Sequence, residues 1–205
     1  MLLERVLDWL PLVVLAATLS TAKVRAWIMQ RRGVRVVIVD WRRPLGELLY
    51  DSLFIAVSLC WIYLLLAEAW PLSLRWLPDW LTRNIIDALP VRLIGAAMLL
   101  AAPILFAASL RSFATSWRIG IDREHPPPLV TSGVFAWTRN PIYTAFDMII
   151  IGAFLVHGRL VVLLVGLIMI VLVHGVVLRE ERFLDQQFGD AFRKYTKRVR
   201  RYGVW

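Results

Sequence analysis

Cysteine is almost missing: the 205-residue chain holds one, Cys60. A single thiol excludes a disulfide framework and any cysteine-based zinc site, and no other metal motif is present. Internal repeats and low-complexity tracts are also missing, which excludes solenoids and biased linkers. A disordered tail is excluded by composition, because 59% of the residues are hydrophobic and ten are tryptophan. Soluble domains average about 45–50% apolar. With a mean hydropathy of +0.64, 205 residues cannot hide so much apolar surface in one water-facing core. The length allows one domain, and a single membrane domain over 1–205 is expected.

Five apolar stretches stand out: Trp9–Ala22, Leu45–Trp70, Val91–Leu110, Ile142–Val156 and Leu160–Leu178. Three reach the ~20 residues that a helix needs to cross the hydrocarbon. The first and fourth are short and lean on their flanks. The first is expected to persist as a helix, since Glu4, Arg5 and Asp8 replace the basic start of a signal peptide. The last two stretches are separated by His157-Gly158-Arg159 and must form a tight hairpin. The expected fold is an all-α membrane protein with about five transmembrane helices and a C-terminal amphipathic helix.

The net charge of +9 is distributed unevenly. Seven basic residues lie between the first two stretches and four between the third and fourth. Eight more lie in the tail, so these regions hold nineteen of the 24. The positive-inside rule then puts the N-terminus outside and the C-terminus in the cytoplasm, in a membrane of the bacterial inner type. The same placement explains the charge by topology and anionic membrane lipids, not by nucleic acid.

Residues 33–41 are rich in β-branched residues and predict an extended or interfacial segment. Residues 71–90 form an outer loop whose Trp76 and Trp80 suit the headgroup layer. Pro126-Pro127-Pro128 cannot be helical. Asn140-Pro141 predicts an N-cap followed by a first-turn proline. In the tail, Leu184, Phe188, Ala191, Tyr195 and Val199 recur at helical spacing and leave the basic residues mostly off the stripe. They predict a basic amphipathic helix on the inner membrane face, bent or broken at Gly189.

Ionisable groups at membrane depth are functional candidates. Glu47 and Glu68 lie near helix ends and read as interfacial, while Asp51 is ambiguous. Asn140, Tyr143, Thr144 and Asp147 share one helix face. Asp147 reads equally as a buried acid satisfied by a neighbouring helix or as a functional group. Counting outward from Gly158 puts His174 level with Tyr143, as a structural hydrogen-bonder or a base. Asn140, Tyr143, His174, Glu180 and Glu181 are therefore expected at one pocket. An acid at a helix C-terminus implies a cationic partner, either Arg139, Arg182 or a ligand ammonium. The start of the fourth membrane helix suits a carboxylate. An amino-acid head group satisfies both ends, and Phe135, Trp137 and Tyr143 offer π faces.

The run Leu129-Val130-Thr131-Ser132-Gly133 through Arg139-Asn140-Pro141-Ile142-Tyr143 resembles the cofactor-binding stretch of the isoprenylcysteine carboxyl methyltransferases. Glu180-Glu181, Leu184, Phe188-Gly189, Phe192 and Tyr195 resemble the tail motif of the same enzymes. The resemblance covers roughly residues 111–205. It implies S-adenosylmethionine held by Pro127, Pro128, Leu129, Val130, Phe135, Asn140, Pro141, Ile142, Tyr143 and Glu180. Asn140 stands where those enzymes carry histidine. Val176 stands where they carry the arginine that meets the substrate carboxylate. The broader family includes phospholipid N-methyltransferases. The acceptor is therefore expected to be a lipophilic or lipid substrate within the bilayer, carrying a carboxylate or an amine. A carboxylate needs no general base; an amine does, with Asp147 or His174 as the candidates. Two rivals are a sterol-reductase-like membrane reductase using NADPH and a non-enzymatic membrane protein with a degenerate pocket.

Overall fold

The computed structural model describes residues 2–38, 44–70, 72, 74–120, 122 and 125–203. Among these the chain folds into seven α-helices and no strand. They are α1 (Leu2–Arg31), α2 (Leu45–Ala69), α3 (Asp79–Thr82), α4 (Leu89–Phe113), α5 (Pro141–His157), α6 (Leu160–Phe188) and α7 (Asp190–Arg198). Helices α2, α4 and α6 are long and apolar enough to cross a membrane, and α5 is a shorter apolar helix. Leu53, Ile55, Leu59, Ile104 and Val171 stand exposed on α2, α4 and α6, a surface matched to hydrocarbon. The protein is an all-α membrane protein. Helix α1 has 30 residues and carries charges near both ends, Glu4, Arg5 and Asp8 at one and Lys23, Arg25 and Arg31 at the other. It packs alongside the others by burying Leu7, Pro11, Val14 and Thr18.

The centre of the bundle is the α4–α5 contact, made possible by small residues. A Cβ on Gly95 would lie 2.8 Å from the Gly152 carbonyl oxygen, and one on Gly152 would lie 2.9 Å from that of Gly95. Ala96, Ala102, Ala145 and Ala153 are buried in the same layers. Close backbone approach through small side chains is how helices gain packing energy where lipid offers no hydrophobic drive. Leu65, Leu99, Ile149 and Val156 fill the remaining space.

The two ends of the bundle are closed differently. At the hairpin tip, Gly158 takes φ 68, a left-handed turn that favours glycine. The loop before α4 docks there: the Ile85 amide donates to the Gly158 carbonyl at 2.8 Å, and the Leu160 amide donates to that of Arg83 at 3.1 Å. Arg159 meets Glu68 at 3.1 Å and Arg92 meets Asp8 at 2.8 Å. At the other end, residues 34–38 are extended beside Ile119, whose amide donates to the Val36 carbonyl at 2.7 Å. That agrees with the extended reading of 33–41 as far as residue 38; residues 39–41 lie outside the described residues.

Helix α6 stops at Phe188 and α7 restarts after Gly189 at φ 49. Phe192, not Ala191, joins Tyr195 and Val199 on the buried side, and Ala191 is exposed. Their partners are Leu129, Leu184 and Phe188, so this apolar stripe is occupied by protein contacts.

Candidate active site

Helix α5 begins with Pro141 in its first turn. Proline suits that position because its φ is preset and it has no N–H to leave unpaired. Asn140 holds the N-cap position, but its side chain does not cap the helix. It donates instead to Glu181 Oε1 at 3.0 Å and to the Arg201 carbonyl at 3.4 Å. The amides of Ile142 and Tyr143 fall outside the intrahelical ladder, as all first-turn amides do.

A cavity of about 400 Å³ opens beside this helix start. Pro127, Pro128, Leu129, Val130, Phe135, Asn140, Pro141, Ile142, Tyr143 and Glu180 all line it. Phe113, Asp122, Arg139, Glu181, Phe192 and Tyr195 are among the other residues that line it. Phe113 meets Phe135 edge-on at 4.5 Å, and the Asp122 carboxylate accepts from the His125 amide at 2.9 Å.

The two adjacent acids diverge, because successive helical side chains point about 100° apart. Both line this cavity, but only Glu180 also reaches a larger one, and it accepts a hydrogen bond from the Tyr143 hydroxyl at 2.6 Å. Glu181 takes Arg139 at 3.1 Å and Arg201 at 2.7 Å in addition to Asn140. Arg139 is thus the cationic partner of Glu181. It also donates to the Thr196 and Val199 carbonyls at 3.2 and 3.1 Å. The Thr138 hydroxyl donates to the Arg201 carbonyl at 2.9 Å, and the Tyr195 hydroxyl donates to that of Phe135 at 2.6 Å. Burial pushes the Tyr195 hydroxyl up to about 12. Together these bonds clasp the tail to the 132–140 loop. Arg201, which holds Glu181 from the tail, carries no sequence signal that would reveal this contact.

A second cavity, of about 910 Å³, lies between α1, α2, α5 and α6. Its floor is apolar, with Leu15, Phe54, Trp61, Ile150 and Met169. Val176 lines it, and so do Glu47, Asp51, Arg179 and Arg182 toward the polar end. Asp51, ambiguous by sequence, is bound to Arg179 at 3.0 Å. The two cavities share Leu19, Ile119, Gly120, Tyr143, Phe146, Glu180 and Phe183. The Tyr143–Glu180 hydrogen bond therefore stands at their boundary.

Asp147 and His174 line neither cavity. His174 lies six residues before Glu180, about 240° around the helix, so it turns to another side. Its Nδ1 is hydrogen-bonded to the Tyr202 hydroxyl at 2.6 Å. Burial and then the Asp147 carboxylate push that hydroxyl up to about 12. The expected gathering of five residues is a gathering of four, with His174 outside it.

The class of protein is that of the membrane methyltransferases, and it rests on a family match. Residues 91–191, about half of the chain, match the phospholipid methyltransferase family model, and that stretch belongs to the family. The match runs from the start of α4 into α7 and contains most of the smaller cavity. No curated protein matches the chain significantly.

Proposed function

We propose that the protein transfers a methyl group from S-adenosylmethionine in the smaller cavity to an amphipathic, membrane-borne acceptor in the larger one. The observation that carries this reading is the meeting of the two cavities at Tyr143 and Glu180. The smaller cavity falls within the volume range of small-molecule sites. Its donor set suits the cofactor: a carboxylate for an ammonium, two first-turn amides for a carboxylate, and aromatic walls for a ring. The cofactor supplies an activated methyl whose bond to sulfur breaks as a new bond forms to the acceptor oxygen or nitrogen.

The chain's own residues position and desolvate. Glu180 anchors one end of the donor, and Tyr143 fixes the Glu180 carboxylate by donating to it. Phe146 and Phe183 line both cavities and exclude water from the boundary. A carboxylate acceptor then needs no base. For an amine acceptor, the acids that reach the larger cavity are Glu47, Asp51 and Glu180; Asp147 and His174 do not reach it.

The nineteen basic residues on alternate loops support an orientation with both cavities toward the cytoplasm and the N-terminus outside. Cysteine labelling from outside the cell, in a Cys60→Ser background, should reach a cysteine at 76 or 83 but not one at 31 or 198; the reverse pattern overturns the orientation. The activity is tested by incubating purified protein with methyl-labelled cofactor and a total lipid extract, beside a titration with S-adenosylhomocysteine. Label in a lipid and binding of the homocysteine product are expected. Absence of binding overturns the reading, and affinity for NADPH in its place would establish the reductase.

A further inference from the structure

Arg179 is the most elaborately held charge in the larger cavity. Its guanidinium lies 4.3 Å above the Tyr50 ring and 3.0 Å from Asp51 Oδ1. Tyr50 is itself fixed, because its hydroxyl donates to the Leu172 carbonyl across the α2–α6 contact. That position exists only because residue 175 is glycine: a Cβ there would collide with the Tyr50 hydroxyl. Four residues from two helices thus orient one side chain that lines the cavity and keeps 23% of its surface open.

A guanidinium has five N–H donors in a rigid fork. Tyr50 covers a face of the Arg179 fork and Asp51 takes one donor, so the remaining edge is available to a ligand. Arg182, one turn further along α6, lines the same cavity. Glu180, the acid between them, is engaged by Tyr143. A weakly hydrated, preoriented fork above an apolar floor fits an oxyanion attached to a long apolar chain.

We infer that Arg179 determines acceptor specificity by binding a carboxylate or phosphate oxyanion on the acceptor's head, with the apolar chain lying along Phe54, Trp61 and Met169. The assignment rests on the reading of the larger cavity as the acceptor site. It gives Arg179 a role at a position one turn beyond Val176.

The test is isothermal titration in an uncharged maltoside, with S-adenosylhomocysteine present and absent. The probes share one chain length: tetradecanoate, tetradecyl phosphate, tetradecanol and tetradecyltrimethylammonium. Wild type should bind at least one oxyanion tenfold or more tighter than the alcohol or the cation. A carboxylate preference identifies an acid group, a phosphate preference a headgroup phosphate. Arg179→Gln should lose ten- to hundredfold in oxyanion affinity while its alcohol affinity stays the same. Arg179→Lys should recover part of the loss, since it restores charge without the fork. Equal binding of alcohol and oxyanions, preference for the cation, or an undiminished preference in Arg179→Gln each overturns the inference. Binding of S-adenosylhomocysteine reports separately on the methyltransferase reading and on the integrity of each variant. If Arg179→Gln fails to bind it, wild type and Arg179→Lys decide the question.

Discussion

The smaller cavity is walled largely by a loop and a tail, the larger by the flanks of four helices. In the first, Arg139, Glu181 and Arg201 hold two irregular segments together through charged hydrogen bonds. In the second, the floor is side-chain packing from α1, α2, α5 and α6. A loop-and-tail wall opens by releasing a few polar contacts and leaves the membrane helices in place. A helix wall opens only by moving helices or rotating their side chains, which suits a ligand arriving from the bilayer. The polar clasp and the apolar floor therefore answer to different substitutions.

The largest expected effect is at the clasp. Glu181→Ala leaves Arg139 and Asn140 without their carboxylate, and cutting one side of a largely buried ion pair costs about 3 kcal/mol. Amide exchange in 133–139 and 191–201 should accelerate while exchange in α4 and α5 stays slow; uniform slow exchange would erase the distinction between the two walls. Next is Glu180→Ala, which removes a charge-assisted contact worth ~1.5–3 kcal/mol and should weaken S-adenosylhomocysteine binding by ten- to hundredfold. Equal affinity in calorimetry would remove Glu180 from the site. A smaller effect is expected from Val176→Phe, which fills part of the larger cavity. Acceptor turnover should fall by roughly tenfold, the scale of a steric mismatch in an apolar pocket, with cofactor affinity kept. A parallel loss of both would mean that the two cavities are one site.

The smallest effect concerns pH. Tyr195 is neutral when it donates to Phe135, and burial holds its ionisation up to about 12 in the fold, above the ordinary phenol value of about 10. A raised folded value means that its contribution is complete below about pH 10 and is lost as pH rises toward about 12. Tail exchange should quicken across that window, and Tyr195→Phe should remove the corresponding part of the pH dependence. A variant with an unaltered alkaline profile would show that Tyr195 ionisation does not loosen the clasp.

Much of the smaller cavity is legible in the sequence because residues 127–143 are contiguous and resemble the cofactor-binding stretch of a known family; the turn, proline and helix-start signals alone mark only a loop and a helix start. Glu180 is legible because an acid follows directly on a membrane-length apolar run; α6 continues to Phe188, so the expected helix end is not there. The three membrane-length apolar helices are legible for the same reason that any apolar run of ~20 residues is. What is hidden depends on register. The depth count from Gly158 places His174 correctly along α6 but carries no rotation, so it brings His174 into a pocket that the side chain faces away from. Ala191 is misassigned because positions 191 and 192 both fit the stripe between Phe188 and Tyr195, and the bulkier Phe192 takes the buried place. The larger cavity is hidden altogether: Leu15, Phe54, Ile150 and Met169 are ordinary apolar residues until four helices bring them together. Tyr50 and Gly175 share no sequence pattern, and only their contact explains either one.

The contact between Gly95 and Gly152 has a mechanical consequence. Where two backbones touch, no rotamer is available to absorb a displacement, so α4 and α5 form a stiff spine. The larger cavity borrows α5 from that spine and takes its other sides from α1, α2 and α6, whose meeting surfaces are long side chains. The bundle is thus rigid at the back and compliant at the front. Tyr143, rooted in the spine, stays in place as a fixed datum while the front yields to whatever chain slides in.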